Sequence, residues 1–228
     1  MVRREVALVS HAGRRFGRWA SLLPVIGVLA VAGCGAPQFR YAADSSANAY
    51  FKVPHQWHPI NDLSLAFELQ RAGYTAGGQP WEVSYDAGMA PSVHHVVSST
   101  ASQPVAQALV APVTSAASNA MSYNLLRNLV LPVSSANRQL AAQHGFPLKG
   151  FKLYRDSIIT PGTGVHGVRE IFSYTYPDGH TDTFDQVALT NSDATMVYLL
   201  LVHCLSTCYS KNFSQIDTVM TSFTVRSP

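Results

Sequence analysis

The strongest constraint on the fold lies in the C-terminal half, where four strand-like stretches follow one another with little between them: residues 151–159, 165–176, 181–189 and 194–203. Pro177-Asp178-Gly179-His180 separates the second from the third, and Asp-Gly tolerates the positive φ angles of a type I′ hairpin turn. Asn191-Ser192-Asp193 makes a second tight link. Links this short force neighbouring strands to run antiparallel. The last stretch holds the unbroken apolar run Val197-Tyr198-Leu199-Leu200-Leu201-Val202, which predicts burial on both faces. A sheet covered twice needs helices above and below it.

One cover is predicted over residues 210–223, where Phe213, Ile216, Met220 and Phe223 recur at helical spacing. A second helix is expected over 118–131, with Met121, Leu125, Leu126 and Leu129 near one face and Pro132 ending it. A shorter one over 134–144 stops at Gly145. Residues 50–53, 81–85 and 105–113 read as further strands. Pro54 and Pro59 bracket a turn carrying His55 and His58, Asp62 can cap a short helix, and residues 87–103 read as irregular. The predicted class is α+β: an antiparallel sheet flanked by helices on both faces, an α/β/α sandwich.

The N-terminus has its own logic. Arg3, Arg4, Arg14, Arg15 and Arg18 precede an uncharged run from Trp19 to Gly33, too short to span a bilayer as a helix. Val31-Ala32-Gly33-Cys34 resembles the bacterial lipobox, whose cysteine is acylated and becomes the new N-terminus. Cys34 is therefore the expected lipidation site, carrying acyl chains such as palmitate, and residues 1–33 the signal peptide. Arg14-Arg15-Phe16 leaves twin-arginine export open beside the general route. Residues 34–49 read as a flexible, lipidated tether and 50–228 as a single α+β domain. Of the 16 Lys and Arg and 13 Asp and Glu, five cations and one acid lie in the leader. The mature chain is thus near neutrality rather than +3, and the basic balance gives no support to a nucleic-acid partner.

The other cysteines are Cys204 and Cys208. Outside the cytoplasm a Cys-x3-Cys pair can close if the chain turns tightly between them. Metal ligation has only His203 nearby as a further ligand, so a disulfide is the expectation. His55-x2-His58 and His94-His95 match no known ligand spacing and read as exposed loop histidines; no metal and no cofactor is expected. No Gly-x-Ser-x-Gly elbow is present, and the expectation is no catalytic residue. Gly162-Thr163-Gly164-Val165-His166-Gly167 lacks the Lys of a phosphate loop and reads as a plain loop. Glu170, Asp182 and Asp185 are expected in cross-strand ion pairs with Arg169 or Arg155. Tyr50, Phe51, Trp57, Trp81, Tyr85 and Tyr154 are expected to fill core rather than line a groove.

The stretches Glu170 to Tyr176, Asp178-Gly179, Thr190 to Ser192, Tyr198 to Cys204, Cys208 and Ile216 to Val225 run as hairpin, hairpin, buried strand, cysteine turn and closing helix. Together with the opening Tyr50-Phe51-Lys52-Val53-Pro54 and Trp57, this order resembles actinobacterial cell-envelope lipoproteins with a PsbP/Mog1-like domain. The resemblance implies a non-enzymatic binding or accessory role. The expected protein is a membrane-anchored extracytoplasmic lipoprotein on the outer face of the cell membrane. Its expected partners are the membrane, through the lipid, and an envelope protein or small apolar ligand. A carrier of a small apolar ligand or lipid is one alternative, and an envelope hydrolase is another.

Overall fold

The computed structural model describes residues 37–45, 48–60, 80–97 and 101–226. The chain divides into Met1–Ala36 and Pro37–Pro228, and the fold concerns the second unit. The leader, Cys34 and the expected helix after Asp62 lie outside the described residues.

Seven strands form the main sheet: β3 (His58–Ile60), β4 (Trp81–Asp86), β5 (Val105–Pro112), β6 (Lys149–Gly162), β7 (Val165–Thr175), β8 (Thr181–Asn191) and β9 (Met196–Leu205). Their order is β3-β4-β5-β9-β8-β7-β6, and every pair is antiparallel. Two meanders, β3-β4-β5 and β6-β7-β8-β9, join along β5 and β9. The connection between them carries three short helices: α2 (Ser115–Asn119), α3 (Tyr123–Arg127) and α4 (Ser135–Gln143). A further short helix, α1 (Val93–Val97), precedes β5, and α5 (Ser206–Thr221) follows β9 directly. A small sheet, β1-β2-β10, is made by β1 (Phe39–Asp44), β2 (Ala49–Pro54) and β10 (Thr224–Val225).

The period of two explains the layers. On β9, Tyr198, Leu200, Val202 and Cys204 join the core that holds Ile216, Val219 and Met220 of α5, with Phe51 and Val53 from β2. The intervening Val197 and Leu199 pack with Leu126 and Leu129 of the α3 region, and Leu201 packs with Val133, Phe172 and Phe184. Both faces of β9 are buried, as the apolar run predicts, and helices cover the sheet on both sides.

Several expectations about the elements need correction. Residues 39–44 form β1 rather than tether, because their backbone pairs with all of β2 from Phe39↔Pro54 to Asp44↔Ala49. The expected helix over 118–131 breaks into α2 and α3, since Thr114 and Ser122 each cap a new N-terminus through their hydroxyls. Residues 93–97 are helical rather than irregular. The Tyr176–His180 turn is not type I′, because Gly179 has a positive φ (88°) and Asp178 does not. Pro177 fixes the negative φ of a type I turn, and Gly179 supplies the left-handed residue after it.

Gly162 to Val165 closes the β6–β7 hairpin, with Gly164 at φ 72°. Gly167 lies within β7, where a Cβ would fall 2.0 Å from the Ala188 carbonyl oxygen of β8. The glycine-rich run is thus a hairpin turn followed by a close strand contact, not a phosphate loop.

Candidate functional site

Three sets of polar side chains centre on buried positions of the sheet, and an open groove adjoins the first of them. The first set lies beneath α5. Arg169 of β7 donates from Nε and Nη2 to both oxygens of Asp185 on β8, at 3.0 and 2.8 Å. It also reaches Asp217 of α5 at 2.8 Å, and Tyr209 donates to Asp185 at 2.9 Å. Burial opposes the Arg169 charge, but hydrogen bonds and charge from Asp185 and Asp217 outweigh it and raise its pKa above the ordinary value. Burial, then the Asp185 charge, raises the Tyr209 hydroxyl. The expected pairing of Arg169 with Asp185 is present; Asp217 and Tyr209 were not among the residues expected there. Arg155 takes no part and instead donates to the Ser157 hydroxyl at 3.3 Å.

The second set faces α3. Glu170 of β7 sits opposite Gln186 of β8 and Asp156 of β6 in one row across the sheet. Arg127 of α3 holds Asp156 at 3.0 Å and lies 3.8 Å from Glu170 Oε1. Burial, reinforced by Asp156 and offset in part by Arg127, pushes Glu170 up to about 8. Gln186 Nε2 donates to Leu126 O at 3.0 Å and to Glu170 Oε2 at 3.4 Å. Glu170 Oε1 and Gln186 Oε1 are buried and accept no hydrogen bond. A protonated Glu170 offers one O–H donor, and Gln186 offers one acceptor beside it. The expected ion pair of Glu170 with Arg169 or Arg155 does not form. Alternation sends Glu170 to the opposite face from Arg169, where its cationic neighbour is Arg127.

The third set gathers histidines. Asp86 accepts from Gly88 N, Ser92 N and His95 Nδ1 at 2.7, 3.0 and 2.7 Å, so it organises the loop leading into α1. His95 is thus a structural partner rather than an exposed loop residue; His94, His55 and His58 are exposed. His203 stacks on Phe184 with ring centroids 5.4 Å apart. Its Nε2 donates to Val96 O at 3.0 Å, and Nδ1 lies 3.4 Å from Asp182. Asp182 therefore faces His203 rather than an arginine. Among the described residues, no hydroxyl is hydrogen-bonded to the ring of His95 or His203, and no three His, Cys, Asp or Glu converge as a metal site.

Cys204, at the end of β9, and Cys208, in the first turn of α5, form the expected disulfide. Phe51, Trp57 and Tyr85 are core, as expected, whereas Tyr154 is exposed on β6. An open groove of about 330 Å³ runs along β6 beside the end of α5. Ile159, Val187, Met220 and Phe223 make it apolar, and Arg155 and Arg169 edge it.

No family model and no curated protein matches the sequence. Solved structures match with probability 1.00. The solution structure of cyanobacterial PsbP from Synechocystis is 11% identical with a TM-score of 0.49, covering 85% of this chain and 96% of that one. Mog1p, a Ran-binding protein of Saccharomyces cerevisiae, is 5% identical with a TM-score of 0.45, covering 83% and 96%. LpqN, involved in cell envelope biogenesis of Mycobacterium tuberculosis, is 14% identical with a TM-score of 0.37, covering 85% and 88%. The α+β class stands on the strand pairing itself.

Proposed function

We propose that the protein is exported and held on the outer side of a membrane by lipid on Cys34, where its folded unit binds another envelope component without catalysing a reaction. The observation carrying this reading is the Cys204–Cys208 disulfide, which belongs to an oxidising compartment and agrees with the leader. Several of the buried polar groups are engaged within the fold. Arg169 and Asp185 neutralise one another, Asp86 holds a loop, and the His203 Nε2 proton is engaged by a backbone carbonyl.

Cell fractionation with palmitate labelling tests it. The wild-type protein should take up label and sediment with membranes, whereas Cys34→Ala should lose the label and enter the soluble fraction. Unlabelled wild-type protein in the cytosol, with residues 1–33 still attached, would sink the reading.

A further inference from the structure

We infer that the outer edge of β6 is a docking site for an extended, acidic segment of a partner protein, which adds to the main sheet as an eighth strand. This gives the binding role proposed above a surface and a partner class. It rests on that reading only in taking binding to be the domain's task.

β6 is the terminal strand of the main sheet and pairs with β7 alone. Among the described residues, no further strand lies along its outer side. A terminal strand presents a row of unpaired N–H and C=O groups, a ready template for another chain. Proteins usually blunt such edges, and β6 is partly blunted. Register shifts interrupt it between Lys149 and Lys152, between Leu153 and Arg155 and between Ile159 and Gly162. Pro161 and the approach of the Val225 carbonyl to Gly162 close the far end. Between the last two shifts the ladder is regular: Arg155, Asp156, Ser157, Ile158 and Ile159 pair in unbroken register with β7. Five residues at ~3.3 Å each offer roughly 17 Å of open ladder, near the usual strand length.

The side chains around this window fit a binding surface. Leu153, Tyr154 and Ile158 are 44%, 51% and 57% exposed, three large apolar groups spaced along one strand, with Leu153 and Ile158 on the face that pairs with Phe172 and Val168. On the other face, the α5 side, the apolar groove holding Ile159, Val187, Met220 and Phe223 adjoins the window at Arg155 and Ile159 and can receive alternate side chains of an added strand.

Charge selects the occupant. Lys149, Lys152 and Arg155 lie on β6, and its one acid, Asp156, already forms a two-oxygen pair with Arg127. A second copy pairing β6 with β6 would bring these cations together with no free acid between them, which is unfavourable. An extended segment carrying Glu or Asp at alternate positions has the complementary charge.

The probe is a fluorescent nine-residue peptide of alternating Glu and Val, titrated against the full chain in mild detergent and followed by anisotropy. Saturable binding is expected, weakening with salt and falling about tenfold in the Lys152→Glu/Arg155→Glu variant. Hydrogen exchange should slow at residues 155–159 when the peptide binds. Arg155→Gln, milder at the same exposed position, should give a smaller loss and checks that folding is not the cause. The inference is overturned by any of four results: no saturable binding, unchanged binding in the double variant, equal binding of the same peptide with proline at alternate positions, or self-association through β6 in sedimentation. Palmitate labelling is independent of all four, so the anchor reading and the edge reading stand or fall separately.

Discussion

Glu170 is a carboxyl group whose setting favours its neutral form. Its pKa is raised from 4.5 to about 8 by burial first and by Asp156 second. The folded state therefore keeps a proton that the unfolded chain releases between those values. A proton held more tightly by the folded state means that stability falls as pH rises through that window and levels off above about 8. Glu170→Gln keeps the shape, supplies a neutral donor and removes the titration. Urea midpoints taken from about pH 5 to about pH 8 should fall in the wild type and change less in Glu170→Gln. Identical slopes for the two proteins would show that another group is responsible.

At the scale of elements, the junction between β9 and α5 is where the chain reverses from a strand buried on both faces into a helix that covers one of them. No linker intervenes, and α5 has no side-chain N-cap. The Cys204–Cys208 bond is the local constraint that holds this reversal. A loop so short gives about 2 kcal/mol in the chain-entropy model. Replacing both cysteines by Ala should lower unfolding free energy by about that amount, read by urea denaturation under non-reducing conditions. A double-alanine protein as stable as the wild type would show that packing of Ile216, Val219 and Met220 fixes the junction without the bond.

For the whole molecule, the Arg169 network is the tie between layers, since one guanidinium joins β7, β8 and α5 across the main core. Removing one partner of a buried pair leaves a desolvated charge and typically costs 3–5 kcal/mol, roughly. Replacing both with apolar groups can cost far less. Arg169→Met should therefore destabilise strongly, and Arg169→Met/Asp185→Leu should recover part of the loss in thermal unfolding. A double variant less stable than the single one would argue that Tyr209 and Asp217 need the ion pair to stay in place.

Much of this architecture was legible in local pattern. The hairpins β6-β7-β8-β9, the two-faced burial of β9, the closing amphipathic helix and the cysteine bond follow from periodicity, short links and a four-residue spacing, all of which act within a few turns of chain. Long-range pairing was not legible. That β5 sits against β9, some ninety residues away in sequence, and that residues 39–44 add a strand to β2, depends on which edges meet once the chain collapses. The same holds for the polar sets. Strand alternation puts Arg169 and Glu170 on opposite faces, but only the packing of α5 and α3 brings Asp217 and Arg127 to them. Sequence determined the elements of the C-terminal half and their buried sides, because those depend on neighbours two to four residues apart. Tertiary structure decided the partners of each charge and the free edge of β6, because those depend on distance in space alone.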